Sequence, residues 1–421
     1  MKNSIMFLFA ACAIAGTAQA LTVSDVSAHA RYPWQSVIDV DFTVSDSKAS
    51  DLFKVGVSAT CDKGTKKLFA RTFLSEPLCG YGTSRVTWDI GADYPGLKVD
   101  DLQVAVTVAP VNPAKIDALD VYMVIDLSSG PNSPRYPVHY TLTPPVLVPT
   151  NDLVACAADP NRTTKLWLKR VKESVFPFNG TTTNKGEGWF KVKLSPYYAC
   201  IFELTQKQWN LVMDAWPSAW SNELYRAARP VERINYEDVI GHNNWPNDKS
   251  VSADSFVGRM RARTGLSTFN LQTESQWENI SRRGTKTTVT AGPTTARYEI
   301  NQGDINDLNG NPNNGTAIVG SYKVNSWGFY DCLGNVMEMC LDAYADSDVL
   351  KSLYEGQDPV VDPIGLPTHT TAMYHATRGG SFYNSSARSS CHDRFYSNNS
   401  SITGKRDHRV GARFVVSPEW K

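Results

Sequence analysis

Apolar and polar residues alternate with a period of two through the first third of the chain. Ile38, Val40, Phe42 and Val44 interleave with Asp39, Asp41 and Thr43, and Phe53, Val55, Val57 and Ala59 interleave with Lys54, Gly56 and Ser58. Successive strand side chains point to opposite faces, so this pattern predicts strands with one buried and one wet face. Further strands are expected over Leu68–Phe73, Arg85–Asp89, Leu102–Val108 and Val121–Leu127, parted by turn-forming stretches such as Asp62-Lys63-Gly64 and Cys79-Gly80-Tyr81-Gly82. About seven short strands so punctuated predict an all-β, immunoglobulin-like sandwich over 21–143. Pro144-Pro145 and Pro149 then interrupt the alternation, and because proline stiffens a chain, 144–163 is read as a linker.

From 164 to 421 the pattern becomes that of an irregular α+β domain. Thr205 with Gln208, and Thr273 with Gln276, are spaced as capping boxes, in which the hydroxyl and the amide side chain satisfy orphan backbone groups at a helix start. Each box is followed by an indole, Trp209 or Trp277, expected in the core. A third helix carrying Phe256, Val257 and Met260 should stop at Gly265. From Thr285 to Gly315 the chain is rich in Asn, Gly, Asp and Thr and reads as long loops. The most irregular stretch, Val319 to Asp342, sets Asp331 and Glu338 on either side of the turn Gly334-Asn335. Spacing alone leaves two readings, carboxylates closing around a hard cation or a buried turn with two satisfied acids.

Gly328-Phe329-Tyr330-Asp331-Cys332-Leu333-Gly334-Asn335-Val336-Met337-Glu338-Met339 resembles the core signature of the formylglycine-generating enzyme family, the sulfatase-modifying-factor domain. Other stretches resemble that family's landmarks in the expected order. They are Phe202-Glu203-Leu204-Thr205, Arg229-Pro230-Val231, Leu271-Gln272-Thr273-Glu274 through Trp277-Glu278 to Arg283-Gly284, Arg378-Gly379-Gly380-Ser381-Phe382, and Gly411-Ala412-Arg413. The resemblance runs from about Thr164 to the C-terminus and implies a C-type-lectin-like fold. It also implies a structural calcium ion held by carboxylates of Asp331 and Glu338 and backbone carbonyls of Gly334 and Val336. Asn301, Asn311 and Asn313 fall near a second cation position of the family.

The resemblance breaks at the reaction centre. Oxidising members carry a copper-binding cysteine pair after Arg-Gly-Gly-Ser, since soft Cu(I) prefers thiolate ligands. The matching positions here are Asn384 and Ser389, so copper is not expected. Arg378, Ser381, Cys391 and Arg413 are the candidate groove residues, with the two arginines also readable as salt-bridge members. An iron-dependent sulfoxide synthase branch adds a His-x-x-x-His-x-Glu triad, and the 7 histidines show no such spacing. His369, His375 and His392 cluster in sequence, as loop residues or as ligands for Zn²⁺, Cu or Fe. No nucleophile elbow, Walker loop or His-Glu-x-x-His motif occurs.

Composition adds the setting. Lys plus Arg and Asp plus Glu each number 42, without a polybasic tract, which argues against nucleic acid or anionic membrane as partners. Lys2, the apolar run Ile5–Ala15 and Ala18-Gln19-Ala20 read as a signal peptide over 1–20 cleaved before Leu21, the run being too short to span a bilayer. A lipid anchor on Cys12 fits its surroundings poorly. The expected location is secreted or periplasmic, with no transmembrane segment. Discounting Cys12, an odd number of the 8 cysteines remains, with Cys61–Cys79 and then Cys340–Cys391 the first candidates for disulfides. The expected function is binding of a peptide, glycan or protein surface without standard formylglycine-generating activity. The alternative is a formylglycine-generating-type or other metal-dependent oxidase using a non-standard residue set, for which Cys391 is a candidate.

Overall fold

The computed structural model describes residues 21–31, 36–49, 51–99, 101–181, 183–241, 245–308, 311–367, 374–396 and 406–418. The segment expected to be a signal peptide, with Cys12, and His369 lie outside these residues. The chain is mostly β, with short helices between its sheets.

The N-terminal strands are β1 (Thr22–Ala30), β2 (Val37–Ser45), β3 (Phe53–Cys61), β4 (Lys66–Phe69), β5 (Leu78–Cys79), β6 (Gly82–Asp89) and β7 (Gln103–Pro110). One antiparallel sheet is ordered β1-β2-β6. In the other, β3 pairs with β7 along its length and with β4 and β5 at opposite ends. Val40, Phe42, Val44, Val55, Val57 and Ala59 meet Trp88 in one core, as the alternation requires. Asp39 and Asp41, expected on the wet face, are instead nearly buried: Arg85 donates from Nε and Nη2 to Asp41 at 2.6 and 2.7 Å, and Arg31 covers Asp39.

The expected Cys61–Cys79 disulfide is corrected by register. Cys79 sits opposite Phe53, the first residue of β3, whereas Cys61 is its last. At roughly 3.3 Å per residue the two lie far beyond the ~7 Å limit between Cα atoms of a disulfide. Cys340 and Cys391 are likewise free thiols. Cys340 packs in the cluster containing Trp277 and Ala376, while the Cys391 sulfur accepts a bond from the Val289 amide at 3.1 Å.

The strand expected at Val121–Leu127 belongs elsewhere. The remaining strands among the described residues are β8 (Tyr122–Asp126), β9 (Val138–Thr141), β10 (Lys165–Val171), β11 (Ser174–Phe178), β12 (Phe190–Leu194), β13 (Tyr197–Cys200), β14 (Phe269–Leu271), β15 (Met337–Ala343), β16 (Val360–Val361), β17 (His375–Arg378), β18 (Arg394–Tyr396), β19 (Val410–Ala412) and β20 (Phe414–Val416). The central sheet is six-stranded, β14-β20-β13-β10-β8-β9, so β8 and β9 pair beyond the segment read as a linker. Val121, Met123, Ile125, Leu127, Val138 and Tyr140 bury themselves with Leu166, Leu168 and the helical layer. Alternation in 121–127 marks a strand but does not say which sheet receives it.

The helix signals fare as expected. Both capping boxes form, at the heads of Gln206–Met213 and Glu274–Arg282. Trp209 and Trp277 are buried. Phe256–Thr264 is capped by Ser255 and ends at Gly265, whose φ of +70° suits glycine. Between Arg282 and Met337 no helix or strand is assigned among the described residues.

A fragment starting near Thr150 should therefore fail to fold. It strips six apolar side chains from one core at roughly 1.5–3 kcal/mol each, comparable with a domain's whole stability of about 5–15 kcal/mol. A fragment starting at Val111 keeps the sheet and should melt cooperatively by circular dichroism. A cooperative melt of the shorter fragment at the same midpoint would contradict this assignment.

Candidate functional site

The stretch from Val319 to Asp342 bends repeatedly before entering β15. Asp331 and Asn335 adopt φ of +52° and +57°, left-handed values that Asp and Asn tolerate better than most residues. Gly334 has φ +76°, and a Cβ there would lie 2.1 Å from the Arg297 carbonyl oxygen, so this turn requires glycine. β15, buried throughout, then runs between β17 and β19.

At its second residue, Glu338 meets Arg413. Arg413 donates from Nε to both carboxylate oxygens at 3.0 Å and from Nη2 at 2.7 Å, and Gln272 Nε2 donates at 2.6 Å. The same guanidinium donates to the Cys200 carbonyl at 3.0 Å and the Tyr330 carbonyl at 2.8 Å, joining β13, the turn and β15. Two further buried acids lie close by. Glu203 accepts from the Val336 amide at 3.0 Å and Asn335 Nδ2 at 2.6 Å, and Asp331 accepts from the Gly320 amide at 2.6 Å. Burial, reinforced by Asp331 and Glu338, pushes the Glu203 carboxyl far up. Burial pushes Asp331 up to about 6. For Arg413 burial opposes the charge, but Glu338 more than offsets it, and its pKa is raised.

The proposed calcium donors fit this arrangement only in part. Asp331 Oδ1 is buried without a partner, as a vacant ligand oxygen would be. Glu338 is committed to Arg413 and Gln272, and a cation could take it only by displacing the guanidinium. Among the described residues no group of three or more His, Cys, Asp or Glu gathers as a metal site. The second cation position shows the same substitution. Arg297 donates to the carbonyls of Gly315, at 2.8 Å, and of Asn301 and Asn313, while the Asn311 side chain accepts from the Asn313 amide.

The groove candidates lie inside the protein. Arg378, Ser381, Cys391 and Arg413 are fully buried, so none of their side chains faces solvent. Arg378 bonds Glu278 at 2.5 Å, lies 3.6 Å from Glu274 and donates to the Cys391 carbonyl at 2.9 Å. Glu274 and Glu278, four residues apart on one helix, each hold a second arginine, Arg394 and Arg282 respectively. Their spacing inside the Thr-Glu-Ser-Gln-Trp-Glu motif is the signal that could have shown them as a charged pair on one helix face. Glu203, Gln272, Arg162 and Arg297 give no sequence signal for their roles, since a buried bond to a partner distant in the chain leaves no local pattern.

At the cysteine-pair positions, Asn384 Oδ1 accepts from the Ser381 amide and hydroxyl at 2.9 and 2.8 Å, closing a turn. Ser389 is fully buried beside Gly380, where a Cβ would come within 2.5 Å of its oxygen. Burial raises the Cys391 thiol, keeping it protonated at neutral pH. His375 stacks on Tyr236 with ring centres 3.5 Å apart and its Nδ1 lies 2.9 Å from the Leu341 carbonyl oxygen, whereas His392 bonds Ser390. These two histidines serve separate local structures.

Comparisons with known proteins match residues 171–418, more than half of the chain, to the family described as the sulfatase-modifying factor enzyme 1-like domain. The chain belongs to that family. It is 29% identical over 220 residues to "Chaperone protein LppX" of Paenibacillus barcinonensis, covering 45% of this chain and 75% of that protein. It is 26% identical over 199 residues to the formylglycine-generating enzyme of Thermomonospora curvata, covering 46% of this chain and 52% of that protein, about half its length. Among solved structures, Treponema denticola variable protein 1 is similar at 21% identity and a TM-score of 0.44, over 61% of this chain and 96% of that one. PvdO from Pseudomonas aeruginosa is similar at 18% identity and a TM-score of 0.41, over 60% and 94%.

Two measurements test the charge assignments. Glu338→Gln leaves the Arg413 charge buried without its counter-ion and should cost about 3–5 kcal/mol in a thermal or denaturant melt, while a Ca²⁺ chelator leaves the parent midpoint unmoved. A midpoint lowered by chelator would instead show that a bound cation helps to hold this turn. Asp331 titrates higher folded than the ~3.9 of an unfolded chain, so its contribution is full below pH 4 and is lost as pH rises through about 6. Asp331→Asn should therefore gain stability relative to the parent, by about 2–3 kcal/mol, between pH 4 and pH 7.5. A flat or opposite pH dependence would contradict the burial of this acid.

Proposed function

We propose that this protein is an exported binding member of the family, secreted or periplasmic, which holds a peptide, glycan or protein surface and lacks formylglycine-generating oxidation. The observation that carries this reading is Asn384 and Ser389, where the cysteine pair would stand. Asn384 spends its side-chain oxygen on the Ser381 turn, and neither residue supplies the soft sulfur that Cu(I) requires. Cys391 is a single protonated thiol buried against Val289, so it does not replace the pair. The relative named as a chaperone is in keeping with binding rather than turnover. Among the described residues no helix is long and apolar enough to cross a membrane.

The N-terminal strands suit a positioning role. We read β1-β2-β6 and β4-β3-β7 as the A-B-E and C′-C-F sheets of an immunoglobulin-like sandwich whose expected last strand has joined the neighbouring sheet as β8. Calcium, where present, would have Asp331 Oδ1 and the nearby carbonyls as its first ligands, with Arg413 retained on Glu338.

The purified protein, with and without added copper, should neither consume O₂ nor convert a sulfatase-type cysteine peptide, as followed by oxygen electrode and peptide mass. Copper-dependent conversion by the unmodified protein would overturn the proposal and restore the oxidase reading with a different residue set.

A further inference from the structure

A cavity of about 620 Å³ opens beside β12, lined by Trp189, Phe190 and Tyr354 and rimmed by Glu187, Glu355 and Gln357. Its size is that of a small-molecule or oligosaccharide site, which runs to roughly 300–1,000 Å³. The rings are held as a set. Phe190 lies 4.9 Å from Tyr354 and 5.1 Å from Phe178, Phe178 lies 6.0 Å from Trp189, and the Tyr354 hydroxyl donates inward to the Gly365 carbonyl at 2.9 Å. A tyrosine anchored by its hydroxyl keeps its ring in place rather than offering that hydroxyl to a ligand.

Aromatic surface also continues beyond the cavity. Arg394, fixed by two bonds to Glu274, lies 5.6 Å from the Trp189 ring and 5.1 Å from Tyr344, which in turn lies 4.9 Å from the half-exposed Tyr396. Rings spaced along a surface offer successive flat contacts to a chain molecule.

Charge and backbone select among possible occupants. The cavity's lysines are already paired, Lys191 with Asp358 at 3.0 Å and Lys351 with Asp348 at 3.2 Å, while Glu187 and Glu355 have no ion pair among the described residues. The site therefore carries an excess of negative charge, which disfavours phosphate, sulfate or uronate groups. Peptides commonly bind by adding a strand to a free sheet edge. β12 is paired along its length with β11 and at Val192 and Lys193 with β16, so only Phe190 and Lys191 keep a free edge, too short to take an added strand. What remains is flat apolar ring surface ringed by carboxylates and an amide, a combination suited to the C–H faces and vicinal hydroxyls of a sugar.

We infer that this cavity is a binding site for a neutral glycan chain, an inference that rests on the proposed role of the protein as a binding module. Trp189 would stack on a sugar ring once the half-exposed Lys351 side chain, whose Nζ lies 5.3 Å from the ring centre, swings aside, and Gln357 and Glu355 would bond its hydroxyls. The test titrates the full mature protein with cellohexaose, N-acetylchitohexaose, a heparin-derived hexasaccharide and a proline-rich peptide, read by tryptophan fluorescence and calorimetry. At least one neutral hexasaccharide should bind, the heparin fragment should not, and Trp189→Ala should weaken binding about tenfold or more, as expected for loss of an aromatic stack. Gln357→Ala, at an exposed position, should weaken it several-fold with an unchanged melting midpoint, separating lost contact from lost fold. Failure of both neutral sugars at millimolar concentration, binding unaffected by either substitution, or binding of only the peptide would overturn the inference. The oxygen and peptide-conversion assays fail or succeed independently, so a wrong ligand class is distinguishable from a wrong view of the protein as a binding module.

Discussion

Buried guanidinium groups replace the hydrogen-bond ladders that the long loops of the C-terminal domain lack. Arg413 gathers Glu338 and the carbonyls of Cys200 and Tyr330, Arg297 gathers those of Gly315, Asn301 and Asn313, and Arg162 gathers those of Val319 and Val148 beside Asp159. An arginine offers five donors in a rigid fork, so one side chain can fix several strands of irregular backbone whose carbonyls would otherwise be buried unpaired. Desolvating so many charges is costly and is offset only where carboxylates and carbonyls close around each one. That condition ties the loops to the sheets, because Glu338 lies on β15 and Cys200 on β13.

This arrangement also explains which parts of the fold were legible in sequence. Period-two alternation located the sandwich core, since Val40, Phe42, Val55 and Val57 act through their own strand faces. The capping boxes at Thr205 and Thr273 were legible for a similar reason, each being closed within four residues. Pairing partners were not: Val121–Leu127 carries a strand pattern whichever sheet it joins, and only the apolar faces of β10 and the helices decide the matter. The site residues were found through motif order, but their roles were only partly readable. Ser381 and Cys391 belong to the interior, and the partners of Arg378 and Arg413 lie 100 and 75 residues away. The aromatic cavity left no signal because Trp189 and Tyr354 come from separate segments brought together by the β12–β16 pairing.

Structure takes the place of chemistry at two positions in the domain. Where oxidising relatives are expected to hold copper, this chain closes a turn with Asn384, and where a cation is expected near Asn301 and Asn313, it places Arg297. A domain so stapled presents a fixed surface, which suits recognition, while its central polar network stays shielded from solvent. The exposed chemistry lies instead on the aromatic face beside β12.

The claim that guanidinium forks hold these loops is tested most directly by amide hydrogen exchange in Arg297→Lys, which keeps the charge and loses the fork. The account predicts faster exchange at the amides of Asn314 and Gly315, unchanged protection in β10 and β13, and no effect of a Ca²⁺ chelator on the parent protein. Unchanged exchange at those two amides in the variant, together with acceleration by chelator in the parent, would show that a bound cation and not Arg297 orders the loop.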